Sequence, residues 1–417
     1  MIPTLHDLLI WSVSLAQAPL LAAWALLVLY LLFLTANAVR GRVATHRRQR
    51  NRHDLPPATR FTILVPAHNE APVIAECLRS LDALHYPAHL RRVVVIADNC
   101  TDATATIAAR RGATVYERTD PHRRGKGYAL DWAIRRLLAE DGGWTDAVVI
   151  FDADTLADPQ FLMHMDRRLQ QGGVALQGRY DLLNPFDNWR TALLYTALVL
   201  HNRARPLARQ ALGWTVLLKG NGMCFARRVV ERFGWSAYSL AEDIEYTTVL
   251  LEAGVRVEYV HEAILQAQAP STARQANPQR LRWEGGRFAL ARRDALRLLV
   301  GAVRARSAPR FDWAMDLLVP PTGILMGVPA LMMMISLPLA LLWGGPASVI
   351  SWGWAATMLG IGVYVLGGLL VCSADRRAYL YLACTPLFLV WKLKIYTLML
   401  LGRGPRGWVR TERTTIS

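Results

Sequence analysis

Cysteine is scarce in this 417-residue chain, and the five that occur, Cys77, Cys100, Cys224, Cys372 and Cys384, are scattered. Their odd number and the lack of any CxxC pair exclude a disulfide framework and a zinc site. Charge is sparse as well: Asp, Glu, Lys and Arg together make 19%, against about 25% in average soluble domains. Acidic groups are the scarcer sign, 32 against 48 Lys and Arg, which leaves +16. An apolar fraction of 53% excludes a disordered chain, whose signature is low hydrophobicity. No internal repeat or low-complexity tract occurs. Apolar excess beside basic excess is the composition of a membrane protein with basic cytoplasmic surfaces.

Pro19 to Ala38 is apolar apart from Thr35 and Asn37, the length of one bilayer crossing. A signal peptide would need a basic start, and the first 30 residues hold no Lys or Arg. Six arginines follow between Arg40 and Arg52, so that flank is expected in the cytoplasm and the N-terminus outside. Leu317–Trp343 and Ala347–Cys372 read as two further spans, the first kinked or interrupted by Pro320, Pro321, Pro329 and Pro338. Arg292–Arg310, with six arginines among leucines and valines, reads as an amphipathic segment on an anionic leaflet; a solvated basic helix is the alternative. Tyr379–Leu401 is broken by Pro386 and carries Lys392 and Lys394. Burying each ammonium in lipid costs roughly 2.5–3.5 kcal/mol on insertion scales. The expectation is a shallow or re-entrant helix followed by an interfacial one, with a third C-terminal span as the alternative.

Between these segments, from Arg60 to about Gly301, the chain turns polar and mixed. Phe61–Pro66, Arg92–Ala97, Thr114–Glu117, Ala147–Phe151 and Val174–Gly178 read as strands. Pro72–Ala83, Ala103–Arg111, Lys126–Ala139 and Pro159–Gln170 read as helices. The alternation predicts βαβ units and an α/β domain with a mostly parallel sheet. The expected division is a membrane helix and basic flank (1–53), a soluble α/β domain (54–291), an interfacial segment (292–316), membrane helices (317–402) and a basic tail (403–417).

Several expected strands end in acidic or polar residues, at the sheet edge where ligands of α/β proteins bind. Ala147–Phe151 runs into Asp152-Ala153-Asp154; two acids at this spacing can share a hard cation, or merely cap the next helix. Val93–Ala97 ends in Asp98, and Phe61–Val65 runs into Pro66-Ala67-His68-Asn69-Glu70. Arg123, Arg124 and Lys126, beside Gly125 and Gly127, offer cations and open backbone to an anion, although a basic helix start has the same look.

PAHNE, DNCTD, RGKG, DAD, Ala241-Glu242-Asp243 and Gln279-Arg280-Leu281-Arg282-Trp283 occur in the order used by glycosyltransferase family 2. The set resembles the membrane-bound branch that includes cellulose, chitin and hyaluronan synthases, from Arg60 to about Arg293. The resemblance implies a GT-A type nucleotide-sugar-binding domain and an inverting, metal-dependent transferase. It places Pro66, Ala67 and Glu70 in the nucleotide pocket and Asp98 on the uracil of a UDP-sugar. Asp154 would bind Mg²⁺ or Mn²⁺, and Asp152 would contact the sugar or ribose. Lys126 and Arg282 would neutralise the diphosphate, Asp243 would be the base, and Glu242, Gln279 and Trp283 would meet the acceptor. Lys219-Gly220-Asn221-Gly222 resembles the loop before the acceptor site. Trp408-Val409-Arg410-Thr411-Glu412-Arg413 resembles a gating segment, with Trp408, Arg410, Thr411 and Arg413 near bound UDP; a free basic tail is the alternative.

Two positions depart from the family pattern: Ala241 stands where a threonine is common, and Thr155 where cellulose synthases carry histidine. The resemblance implies transfer to a glycan acceptor, as in β-linked polysaccharide synthesis. Single transfer to a lipid at the membrane face is the first alternative, favoured by the few spans. A non-catalytic binding protein of the same fold is the second. The expected setting is a bacterial-type inner membrane, multi-pass, with the catalytic domain cytoplasmic. The expected partners are a UDP-sugar, a glycan or lipid acceptor and the bilayer, with room for a homo-oligomer. Basic residues cluster beside the spans, so no nucleic-acid partner is expected.

Overall fold

The computed structural model describes residues 5–50, 55–270 and 272–400. It begins with one long helix, α1 (Leu5–Arg50), which contains the expected 19–38 span. The first half of the soluble domain alternates as its hydrophobic runs dictate: β1 (Phe61–Ala67), α2 (Ile74–Asp82), β2 (Arg91–Asp98), α3 (Thr104–Arg110), β3 (Thr114–Arg118), α4 (Lys126–Glu140) and β4 (Ala147–Ile150). The second half is less regular. It runs through β5 (Thr155–Ala157), α5 (Phe161–Gln170), β6 (Ala175–Leu182), α6 (Trp189–Val199), α7 (Arg205–Leu212), β7 (Met223–Ala226), α8 (Arg227–Phe233), α9 (Glu242–Glu252) and β8 (Val257–Ala267). A helical part follows as α10 (Ala273–Arg304), α11 (Ala308–Leu318), α12 (Thr322–Trp343), α13 (Pro346–Val371), α14 (Arg376–Tyr381) and α15 (Thr385–Leu400).

The eight strands form one sheet in the order β3-β2-β1-β4-β7-β6-β8-β5. β3, β2, β1 and β4 are parallel, as expected. β7 runs antiparallel to both β4 and β6, so the sheet is mixed beyond β4. β1 lies between β2 and β4, which brings the ends of these strands to one rim. One sheet face packs on α2, α3 and α5 through Ile63, Val65, Leu78 and Phe161. The other packs on α4, α7 and α9, and Leu34 and Ala38 of α1 belong to that same core.

Four helical stretches among the described residues are long and apolar enough to cross a membrane: Trp11–Arg47, Thr322–Trp343, Pro346–Val371 and Arg376–Thr397. The Pro320-Pro321 pair separates α11 from α12, whereas Pro329 and Pro338 lie inside an unbroken α12. The expected boundary at 291/292 falls within α10. Leu290, Ala295 and Leu298 pack on Trp313, Ala314 and Leu317, so the helix gains by continuing. Leu296 and Val303 stay exposed on it, which leaves the segment amphipathic.

At the C-terminal end a single 3₁₀ turn, Leu382–Cys384, joins α14 to α15. Lys392 sits within the protein as the partner of Glu284 on α10, so the lipid penalty expected for it does not arise. Both α14 and α15 contact the soluble domain. The Arg377 guanidinium lies 4.1 Å from the Phe186 ring, and the Trp391 ring is 6.3 Å from that of Trp189.

A buried ionic knot ties soluble and membrane parts together. Arg209 Nε lies 2.8 Å from Asp312 Oδ2 and its Nη2 2.7 Å from Asp316 Oδ1. The Tyr30 hydroxyl on α1 donates to Asp312 Oδ1 at 2.7 Å. Removing one member of a buried ion pair leaves its partner uncompensated, at about 3–5 kcal/mol. Arg209→Met is therefore expected to lower the thermal midpoint of the detergent-solubilised protein sharply. An unchanged midpoint would show that the knot is not stabilising.

Candidate active site

One cavity of about 860 Å³ opens beyond the ends of β1, β2 and β4. β1 brings Pro66 and Ala67 to its wall, the following turn Glu70, and the end of β2 Asp98. Asp98 accepts from Arg118 Nη1 at 2.5 Å and from Asn99 Nδ2 at 3.1 Å, both on Oδ1. The turn after β4 supplies Asp152 and Asp154, the latter 7% exposed.

Lys126 enters as the first residue of α4, from a turn that only Gly125 allows at φ 128°. Gly127 is needed next to it, because a Cβ there would meet the Ala237 carbonyl oxygen at 2.1 Å. The Lys126 ammonium donates to Asp152 Oδ1 at 2.5 Å and also to the Gly220 carbonyl. Burial opposes its charge, but Asp152 and Glu242 hold its pKa above the ordinary lysine value.

The Lys219–Gly222 turn is fixed from two sides. Asn221 Oδ1 accepts from the Asp152 amide at 3.1 Å, and its Nδ2 donates to Thr155 Oγ1 at 2.7 Å. Thr155 is fully buried and serves this bond. On the other side Gln177 accepts from the Lys219 amide at 2.8 Å and donates to the Asn221 carbonyl at 2.8 Å.

Glu242 and Asp243 open α9 across from this turn, where helix-end amides favour negative charge. Burial nevertheless raises both, Glu242 to about 7, because two carboxylates share one enclosed space. Gln279, Arg282 and Trp283 project from α10 into the same cavity. α10 runs close to the base: a Cβ on Gly286 would lie 3.1 Å from that of Ala241. The cavity thus gathers every expected site residue except Trp408, Arg410, Thr411 and Arg413, which lie outside the described residues.

Other lining residues went unnoticed in the sequence. His201 and Asn202 come from a π-helical turn, Leu200–Ala204, between α6 and α7, and Arg205 opens α7 directly after it. Such turns recur at functional sites, but sequence gives no sign of them. Arg287, Pro320, Tyr364 and Phe388 extend the lining to the membrane helices. One signal was available: Arg205 and Arg209, spaced i,i+4, answer Asp312 and Asp316 at the same spacing.

Among the described residues no three His, Cys, Asp or Glu side chains converge as a metal site. Asp152 and Asp154 still fit a divalent ion, because Mg²⁺ is typically held by one or two carboxylates plus substrate phosphates.

Residues 56–315 match the family model described as glycosyltransferase like family 2. The chain belongs to that family, and its α/β domain is of the GT-A type. Relatives include a probable glycosyltransferase, YdaM, of Bacillus subtilis (strain 168), 26% identical over 63% of each chain. A β-monoglucosyldiacylglycerol synthase of Nostoc sp. is 30% identical over 54% of this chain and 48% of its own length. An N-acetylglucosaminyltransferase of Rhizobium leguminosarum bv. viciae is 26% identical over 68% of each. Among solved structures, a mannosyltransferase of Pyrobaculum calidifontis in complex with GDP-Man and Mn²⁺ aligns at TM-score 0.44 and 21% identity, over 84% of this chain and 99% of its own.

Proposed function

We propose that the protein is an inverting glycosyltransferase that moves one sugar from a UDP-sugar to a lipid-borne acceptor at the cytoplasmic face of a bacterial-type inner membrane. The carrying observation is the continuity of the cavity. It reaches from Asp98 and Lys126 to Pro320, Tyr364 and Phe388, so donor and membrane components share one space. The name of the Nostoc relative, a diacylglycerol glycosyltransferase, supports the same acceptor class.

In this reading Pro66, Ala67, Glu70 and Asp98 hold the nucleoside, and Asp152 orients the sugar or ribose. Asp154, with Asp152 near it, would hold Mg²⁺ or Mn²⁺, whose charge would help UDP leave. Lys126 and Arg282 meet the diphosphate charge that grows as the glycosidic bond breaks. Asp243 takes the proton of the acceptor hydroxyl, which is a poor nucleophile without a positioned base. Glu242 and Gln279 orient that hydroxyl, and in-line attack inverts the anomeric carbon. Both α14 and α15 touch the soluble domain, which supports a course along the membrane surface rather than a third C-terminal crossing.

Extension of a β-linked glycan is the second reading, favoured by Trp283. Its ring is 36% exposed at the cavity and can stack on a sugar face. Full-length protein with a panel of UDP-sugars and mixed lipids tests both. Lipid transfer gives UDP release with label in the organic extract. Long water-soluble products favour the glycan reading, and untouched donors with every lipid would refute both.

A further inference from the structure

Beyond Asp243 the cavity narrows onto cations. Lys219, Arg205 and Arg287 line this end together with His201. Arg205 Nη1 reaches Asp316 Oδ1 at 3.3 Å, and Arg287 Nη2 lies 3.5 Å from Asp316 Oδ2. Arg209 draws on the same carboxylate at 2.7 Å, so Asp316 is shared three ways. Lys392, also on the lining, is already matched by Glu284. Lys219 differs: its ammonium has no hydrogen-bond or ion-pair partner among the described residues. Burial pushes it well below the ordinary lysine range; Asp316 and Asp243 oppose that shift, and Arg209 and Arg205 add to it. His201 is depressed in turn, by burial first and then by Lys219 and Arg205.

Lys219, Arg205, Arg209 and Arg287 thus outnumber the carboxylates Asp312 and Asp316, and excess positive charge in an enclosed site is costly unless a ligand supplies counter-charge. The donor diphosphate is expected on Lys126 and Arg282, and Lys126 pairs with Asp152 rather than with Asp316. A neutral hydroxyl acceptor supplies no counter-charge. The position is telling: Gly220, next to Lys219, would bring a Cβ within 3.7 Å of Asp243 Oδ2. Pro320, Tyr364 and Phe388 then lead from the cations toward the membrane helices.

We propose that Lys219, with Arg205 and Arg287 beside it, seats the phosphate of an anionic lipid acceptor whose reacting hydroxyl belongs to a headgroup joined to its lipid through phosphate. The inference rests on the lipid-acceptor reading above and names its chemistry. The headgroup hydroxyl faces Asp243 while the phosphate stays on Lys219, and the tails leave past Tyr364 and Phe388. The acceptor oxygen bonds to the anomeric carbon, its proton passes to Asp243, and the bond to UDP breaks with the electron pair leaving on UDP. The acceptor phosphate is unchanged throughout.

The full-length chain in phosphatidylcholine nanodiscs, given the UDP-sugar it consumes, tests this. The probe acceptors are phosphatidylglycerol and phosphatidylinositol for a glycerophospholipid source, and undecaprenyl-diphosphate-linked N-acetylglucosamine for a polyprenyl source. Dioleoylglycerol and monoglucosyldiacylglycerol are the neutral counterparts. At least one phosphate-bearing probe should exceed the neutral ones in kcat/KM by about tenfold or more, the worth of one charge-assisted bond. Lys219→Met should erase that preference through KM, and Lys219→Arg should keep it. Equal or better use of the neutral lipids overturns the phosphate seat and leaves the lipid reading intact, as does an unaltered preference in Lys219→Met. Label only in water-soluble glycan overturns both. If Lys219→Met does not fold, the native headgroup preference decides. sn-Glycerol 3-phosphate should then compete where glycerol does not, and its failure to compete would refute the seat.

Discussion

Asp243→Asn is expected to bind the UDP-sugar like the native chain and to transfer sugar roughly 10²–10⁴-fold more slowly, the usual worth of a general base. The amide keeps the shape at the start of α9 and its bond from the Ile244 amide, which donates to Asp243 Oδ1 at 2.8 Å. Only proton acceptance is lost. The same site fixes the sign of the pH dependence. A carboxylate whose pKa is raised holds its proton to higher pH, so the base form is lost as pH falls. Glu242 titrates at about 7 and Asp243 is also raised, both by burial first. The two titrate as a pair, so kcat/KM should fall on the acid side below about 7. Stopped-rate UDP release across pH and donor titration by calorimetry measure both effects. An Asn variant that loses donor binding but keeps its saturated rate would remove Asp243 from the role of base.

Chelation should have an effect of comparable size. EDTA is expected to stop turnover, and Mg²⁺ or Mn²⁺ to restore it. Asp154→Asn should stay folded while losing about 10³-fold or more in rate, since a bound dication supplies several kcal/mol of charge stabilisation at the leaving group. Asp154 lies buried at the cavity wall, whereas Asp152 is already engaged by Lys126, so the variant at 154 should be the more severe. Full activity in EDTA would dismiss the metal assignment. Equal losses at both positions would dismiss the ranking.

The parallel half of the sheet could be read from sequence because its signals are local. β1 to β4 are short β-branched runs, the first three each followed by a helix, and their observed limits differ from the expected ones by at most one residue. The acidic strand ends were legible for the same reason, since fold position alone puts Asp98, Asp152 and Asp154 on one rim. What escaped was non-local. β7 and β8 owe their places to pairing across the sheet rather than to a pattern of their own. Lys392 looked like a burden on a membrane segment because its partner, Glu284, is 108 residues away. The membrane end of the cavity was invisible because a π turn re-aims His201 and Arg205, and no residue type announces one.

Leu34 and Ala38 belong to the interior of the soluble domain, and Tyr30 to its ionic knot, although all three are carried by the first apolar helix. The catalytic domain is therefore not a detachable module. A chain trimmed to the family-matched residues 56–315 would keep Asp98, Asp152, Asp154, Asp243 and Arg282 yet lose Pro320, Tyr364 and Phe388 from the cavity and part of its own interior. Leu207 and Trp214 would face water in place of that helix, and Asp312 would lose a donor. Here the first apolar helix is a structural member of the enzyme rather than a tether, so the two can be inherited, exchanged or purified only as one piece.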